Sequence, residues 1–382
     1  MKILHITPEA PGNNSGGKLV VLQSILSLSK INAEIDYVGP YIDNEKIKKL
    51  YNKTYELKPT NNIIKVFLII LHKETNKSYY AWKKLNINFD LYDYVYLEFT
   101  KQDYIFQDID RKASKTKKIV RVHNIEAELA KTVMTYEPTV KNKLIYKLTE
   151  RQERYIVTKA DKLITLTQSD KEKISKKYNV STKKIHIIPV CIGRKEKKIQ
   201  NEIRDKQCNI LITGSLWYGP NVDGINWFLD NVLELITIPY KIIIAGYKPN
   251  AILKKKCEKK DIEIIDSPKD LSSIYTQSNL VVIPIFSGAG MKVKVADALA
   301  YGKPIVCTSF GLIGYEKVIM DENIYVADSK EDFAKCINEY WNLSDAEKNI
   351  MRSNAYKLFE NNYSIENSKQ LYANILDYKI DF

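Results

Sequence analysis

Short apolar runs alternate with longer amphipathic stretches along almost the whole chain. In the first half, KILHIT (Lys2 to Thr7), AEIDYVG from Ala33, YDYVYLEF from Tyr92, KIVRVH from Lys118 and KLITLT from Lys162 are of strand length and rich in β-branched and aromatic residues. After the first of them a Gly-rich loop ends at Gly16-Gly17, and Leu19 to Leu28 reads as a helix. Apolar strands separated by helical segments belong to a parallel sheet covered on both faces, so the first half is predicted to be a doubly wound α/β domain.

The apolar pattern lapses over Arg194 to Gln207 (RKEKKIQNEIRDKQ), as in a solvated linker, and then restarts. NILITGS from Asn209, a helix through Asn221 to Ile236, YKIIIAG from Tyr240, IEIID from Ile262, LVVIPI from Leu280 and PIVCT from Pro304 form a second α/β series. The expected architecture is two Rossmann-like domains, residues 1–193 and 208–360, joined by a linker at 194–207 and facing each other across a cleft. The helical stretches Asp345 to Asn361 and Ile365 to Ile380 have no strand between them, and 361–382 is expected to cross back to the first domain. Open α/β sheets bind ligands at the carboxyl ends of their strands, which makes the cleft the expected active site.

The 382 residues fit two domains at roughly 150 residues each. Subtracting 46 acidic from 59 basic residues gives +13, a balance that favours polyanions, sugar nucleotides or an anionic membrane face without naming one. The basic residues are dispersed and accompany no nucleic-acid motif, which argues against a nucleic-acid module. Five cysteines stand far apart, with no close pair for a disulfide framework or a thiolate metal site, as expected in a reducing compartment. The start MKILHITPEAPG has no secretory pattern. The most apolar run, Ile63 to Leu71, is nine residues long and contains Lys65, whereas a spanning helix needs about 20 residues. A cytoplasmic protein is expected. The stretch Lys141 to Lys159, a helix candidate mixing bases with Leu144, Ile145, Leu148 and Ile156, leaves two readings open: foremost a helix solvated on one face and packed on the other, and second a peripheral contact with the inner membrane face.

The segment with most chemistry is Phe286 to Gly314. A strand ends at Ile285, the small residues Ser287 to Gly290 form a loop with exposed backbone N–H groups, and a helix Met291 to Tyr301 opens with Lys292 and Lys294. Helix N-termini carry partial positive charge and unpaired donors, and two ammonium groups add full charges, so a diphosphate would be held there without a metal. Cations at that end disfavour the free helix, a conflict that a bound anion removes.

The string GAGMKVKVADALAYGKPIV resembles the donor-binding segment of the GT-B glycosyltransferases, in the large retaining family numbered four. GSLWYGPNVDGINWF (Gly214 to Phe228) is similar to the opening of that family's C-terminal domain. RVHNIEAEL from Arg121, LTERQERYIVTKADKLITLTQSDKEKI and IHIIPVCI follow in the family's order in the first half. The resemblance covers almost the whole chain and implies the GT-B fold. Many members carry two glutamates eight positions apart at this helix; here the first falls on Ala289 and the second on Asp297.

The resemblance implies a donor site made by Gly16, Gly17, Gly214, Ser215, Pro284, Phe286, Ser287, Gly288, Ala289, Gly290, Met291 and Asp297, with Lys292, Lys294 and His123 carrying catalysis. Lys292 and Lys294 would take the diphosphate, since no base stands between Ser215 and Asn221, and His123 would meet the donor sugar. Asp297 would grip the nucleotide ribose. Trp217, Tyr218 and Tyr247 read as cleft wall, and Glu126 and Glu128 as cap or solvated acids. The implied function is metal-independent, retaining transfer of a sugar from a nucleoside diphosphate sugar to a hydroxyl of a saccharide, lipid-linked or polypeptide acceptor, in bacterial surface polysaccharide or glycoconjugate synthesis. No cofactor is implied beyond the donor substrate. The loss of the acid at Ala289 supplies the alternative, a non-catalytic subunit that binds sugar nucleotide and supports a partner glycosyltransferase.

Overall fold

The computed structural model describes residues 1–12, 15–58, 79–193, 206–288, 290–318 and 322–378. The apolar run Ile63 to Leu71, the linker up to residue 205 and Ala289 lie outside the described residues. The chain divides into two compact units: Met1–Val190 with Ser368–Phe382, and Cys191–Asn367. The last residues thus belong with the first unit, and the C-terminal helix Ile365–Ile375 begins in one unit and ends in the other.

Unit 1 holds strands β1 (Lys2–Ile6), β2 (Glu34–Gly39), β3 (Lys53–Glu56), β4 (Tyr94–Glu98), β5 (Lys117–Val122), β6 (Lys162–Thr165) and β7 (Ile185–Ile187). They pair in parallel in the order β3-β2-β1-β4-β5-β6-β7. Side chains alternate across the sheet, so Ile3, Ile35 and Tyr94 enter one core with Leu22, Ile25, Tyr372 and Ile375. Leu4, Val95 and Val120 enter the other, with Ile105, Phe106, Ile109 and Ile156. Both faces are covered, which is why the strands read as continuous apolar runs.

The C-terminal helix is tied into unit 1 by a buried polar network. The fully buried Arg121 donates from Nη1 to the Tyr372 hydroxyl at 2.8 Å and to Ser24 Oγ at 2.7 Å, and from Nη2 to Gln23 Oε1 at 3.1 Å. Tyr372 also shares a 2.7 Å hydrogen bond with Tyr96, and Ser27 donates to Ser368 at 2.9 Å. A buried cation is tolerated when its donors are taken in this way.

Unit 2 repeats the topology with β8 (Cys208–Ser215), β9 (Tyr240–Tyr247), β10 (Glu263–Asp266), β11 (Leu280–Ile283), β12 (Ile305–Cys307) and β13 (Ile324–Val326), ordered β10-β9-β8-β11-β12-β13 and parallel throughout. Its core joins Ile210, Ile212, Ile244, Val282 and Val306 to Phe228, Phe333 and Tyr340 from the helices. The five cysteines are buried and form no disulfide. Among the described residues no helix is long and apolar enough to cross a membrane.

The first loop differs from expectation. Gly16 and Gly17 do not end a loop but form the first turn of the helix Gly16–Leu28, whose N-cap is Ser15; the Ser15 hydroxyl accepts from the Lys18 N–H at 3.3 Å. A serine just before two glycines starts the helix earlier than the apolar periodicity shows, because the cap supplies the acceptor that glycine lacks.

Candidate functional site

In both sheets the strand order reverses beside the first strand, between β1 and β4 in unit 1 and between β8 and β11 in unit 2. Such switch points open a crevice at the carboxyl ends of the strands.

In unit 2 that point is crossed by three close approaches. A Cβ on Gly224 would lie 1.7 Å from the Pro284 carbonyl oxygen, so the helix Gly219–Asn231 packs against the end of β11 only with glycine there. Gly214, at φ +154°, leaves room for the Lys294 ammonium and the Asn221 amide, which would stand 2.8 and 2.9 Å from a Cβ on it. Asn221 donates from Nδ2 to the Ser215 carbonyl at 2.9 Å and accepts the Lys294 ammonium on Oδ1 at 2.9 Å. Lys294 is therefore aimed at the end of β8, where Gly214 and Ser215 were expected to meet the donor.

The helix behind the loop Ser287 to Gly290 spans Val293–Ala300, with Lys292 as an N-cap that makes no side-chain capping bond. Lys292 bends back, donating to the Gly290 carbonyl at 2.7 Å and lying 4.9 Å from the Phe310 ring centre. Burial pulls both ammonium groups down to about 8, the loss of water outweighing the neighbouring Cys307. Asp297, one turn beyond Lys294 on the same helix face, is pushed up to about 7 by burial, against the pull of Lys294. Desolvated cations whose hydrogen bonds run to neutral oxygens gain most from an arriving anion.

Ser287 and Gly288 are exposed, Gly288 at φ +112° and Gly290 at +66°, while Met291 is buried beneath them. Phe286 is 41% exposed and stands edge-on to Trp227, 4.6 Å between centres. Trp217, Tyr218 and Tyr247 are also exposed at the ends of β8 and β9. Asn221 was legible only as a loop residue; its part in aiming Lys294 depends on a contact 73 positions away.

In unit 1, His123 directly follows β5 and is buried. Its ring stacks on Phe99 with centres 3.7 Å apart, Phe99 being held at φ +66° just after β4. His123 Nε2 is 2.5 Å from Glu98 Oε2, and Glu98 Oε1 is 3.2 Å from His5 Nε2. Tyr51 lies 3.0 Å from His5 Nδ1 and closes the chain. Burial opposes the Glu98 charge, but the two imidazoles together hold its carboxyl well below the usual range. Burial lowers the His123 pKa more than Glu98 raises it, so the ring is neutral at pH 7. A neutral ring donating from Nε2 leaves Nδ1 as an acceptor. Gly17 faces this cluster, with Glu9 Oε2 2.9 Å and Phe99 Cζ 3.2 Å from the position of a Cβ on it.

These two sites stand on a fold shared with solved glycosyltransferases. A glycosyltransferase from Rickettsia africae superposes at a TM-score of 0.70 with 13% identity, over 98% of this chain and 97% of that one. Anabaena HepE, solved in complex with UDP-glucose, gives 0.65 at 13% identity, over 99% of each chain. Residues 207–342 match the family model of the Glycosyl transferases group 1. The chain thus has the fold of these glycosyltransferases, and the group 1 glycosyltransferase match lies within its unit 2. In sequence it is 27% identical to an uncharacterized 44.6 kDa protein in the cps region of Klebsiella pneumoniae, over 98% of both chains. It is 23% identical to the O-antigen chain mannosyltransferase RfbU of Salmonella typhimurium, over 58% of this chain and 60% of that protein.

Proposed function

We propose that the protein is a retaining, metal-independent glycosyltransferase that moves a sugar from a nucleoside diphosphate to a hydroxyl of a bacterial surface glycan or glycoconjugate. The observation that carries the reading is the Lys294 ammonium, desolvated and aimed by Asn221 at the glycine end of β8. The helix start beside it adds partial positive charge. HepE in complex with UDP-glucose supports a nucleoside diphosphate sugar as donor, and the similarity to an O-antigen chain mannosyltransferase supports a glycan acceptor.

In this reaction the bond between the anomeric carbon and the diphosphate oxygen breaks, and negative charge grows on the diphosphate. Lys294, with Lys292 behind it, stabilises that charge, and such preorganised stabilisation is usually the largest catalytic contribution. The acceptor oxygen bonds to the anomeric carbon from the face the diphosphate leaves, and its proton departs with the phosphate. His123 meets the transferred sugar, and Asp297 accepts from the ribose hydroxyls. Release of nucleoside diphosphate and free sugar by the purified chain alone, unchanged by EDTA, is expected. Abolition by EDTA with recovery on Mg²⁺ would refute metal independence. Binding of sugar nucleotide without any turnover would favour the non-catalytic subunit.

The reading includes peripheral contact with an anionic membrane. The helices Glu126–Tyr136 and Val140–Lys159 meet at a tip where Tyr136 and Val140 are each 84% exposed, flanked by Lys131, Lys141 and Lys143. Apolar side chains ringed by lysines suit a lipid surface.

A further inference from the structure

A tyrosine hydroxyl stands inside the first turn of the helix that carries Lys294. In an unbroken helix the Ala296 N–H would donate to the Lys292 carbonyl four positions back. Here it donates to the Tyr315 hydroxyl at 3.1 Å, and that hydroxyl donates to the Lys292 carbonyl at 2.8 Å. The same carbonyl also accepts from the Val295 N–H at 3.0 Å. Insertion of a side chain into this ladder is one of the identifiable causes of a change in helix direction. Tyr315 does so from 19 positions beyond Ala296, so the direction of this turn is set from outside the helix.

The tyrosine is itself held from behind. It is 2% exposed, and its ring centre lies 4.8 Å from that of Tyr363, which ends the helix Asp345–Asn362. The Lys317 backbone bonds the Tyr363 hydroxyl, and the Tyr363 carbonyl accepts the Ile192 N–H at 2.9 Å. A core tyrosine can satisfy its hydroxyl on any neighbour, yet here donor and acceptor capacity are both used on one helical turn. That turn has little other support: its N-cap makes no side-chain capping bond, its first turn contains no acid, and two cations oppose the helix dipole. Lys294 leaves the backbone between the two residues that the hydroxyl bridges, and Asn221 takes its ammonium at 2.9 Å. Root and tip of the side chain are thus each set by a neutral partner. Misplacement of a charged group by about 1 Å can cost ~10²-fold in rate, so such anchoring matters for catalysis.

We propose that Tyr315 is a positioning residue for Lys294: its hydroxyl fixes the helical turn from which the lysine reaches toward the end of β8. The inference rests on the reading of Lys294 as the group that holds the diphosphate.

The test compares full-length wild type, Tyr315→Phe, Tyr363→Phe, Lys294→Ala and the double variant Tyr315→Phe with Lys294→Ala. Tyr315→Phe keeps the ring and lets Ala296 bond Lys292 directly. Tyr363→Phe removes a buried hydroxyl from the same ring pair without touching the helix, and so reads the structural cost alone. UDP and GDP are titrated by calorimetry, and the Lys294 ammonium is followed by NMR in the ligand-free chain, assigned by its absence from Lys294→Ala. Nucleoside diphosphate affinity should fall about fivefold to tenfold in Tyr315→Phe and less than about twofold in Tyr363→Phe. The loss from Tyr315→Phe should vanish when Lys294 is already Ala, since coupled residues do not add. The Lys294 titration should move from about 8 up toward the ordinary 10.5 in Tyr315→Phe, as the released side chain regains water, and stay in place in Tyr363→Phe. Equal affinity losses in the two Phe variants, or a Tyr315→Phe loss that persists in full beside Lys294→Ala, overturns the proposal. A wild type that binds neither UDP nor GDP refutes the diphosphate reading instead, and the NMR arm then decides: a shifted Lys294 titration in Tyr315→Phe supports the positioning role, and an unchanged one overturns it.

Discussion

The two units share a strand order and place their functional residues at the same topological position, yet they fill it with opposite chemistry. At the switch point of unit 2 stand Lys292 and Lys294, desolvated cations beside a helix N-terminus. At that of unit 1 stand Glu9, Glu98, Glu126 and His123, and the helix start behind Glu126 is already capped by Glu153. A parallel sheet fixes where a crevice opens, and the side chains at the strand ends decide what enters it. Unit 2 offers ammonium groups at this position, and unit 1 offers carboxylates and imidazole.

The largest effect is expected on the acidic side. Glu98→Ala strips two buried imidazoles of their shared acceptor and should cost about 3 kcal/mol or more of unfolding free energy, read from denaturant melts. The pH dependence has a defined sign. The Glu98 carboxyl is held below its usual 4.5, so its contribution is present above that pH and is lost as pH falls below it. His123 resists protonation in the folded state, which adds a loss of stability as pH falls below 6.5. Wild type should therefore destabilise steeply on acidification and Glu98→Ala more gently; parallel pH profiles would mean that Glu98 is not the acid-sensitive group.

Lys294→Ala tests the basic side. Its charge interacts more strongly as the diphosphate leaves, so turnover should fall by ~10²–10³ and donor affinity by less. Lys292→Ala should have a smaller effect, because Lys292 is turned back onto the Gly290 carbonyl. Steady-state kinetics on both variants would show the contrast blurred if the two losses were equal.

The apolar runs of strands buried on both faces marked β1, β2, β4 to β6 and β8 to β12 in the sequence, whereas the short β3, β7 and β13 were not read and the strand order is seen only in the fold. Lys294 was legible as well, because a cation at a helix start is conspicuous. Much of unit 1's chemistry was not. Glu98 reads as the polar end of a strand, and only the fold brings His5 and His123 to it from 93 and 25 positions away. Glu126 resembles any acid in a first helical turn, where acids are favoured by the helix dipole; its burial and unpaired oxygen exist only in the packed structure. Gly16 and Gly17 were read as a loop because glycine carries no periodicity, and the capping Ser15 made them helix.

A milder difference should appear with alkali. Lys294 loses its proton near pH 8, so UDP affinity should fall by up to about tenfold between pH 7 and 9 as it becomes mostly neutral, with a smaller contribution from Lys292. Calorimetry at the two pH values checks this. The smallest effect is at the tip bearing Tyr136 and Val140. Flotation with anionic liposomes should show weak association that salt abolishes, and absence of binding at low salt would remove the membrane contact.

The division of labour between the units is tested most directly by titrating UDP into the folded full-length variants Lys294→Ala and His123→Ala in a calorimeter. UDP affinity should drop in Lys294→Ala and stay unchanged in His123→Ala, because in the proposed reaction the lysine holds the diphosphate and the histidine meets a sugar that UDP lacks. Equal loss in both variants, or in neither, would contradict it.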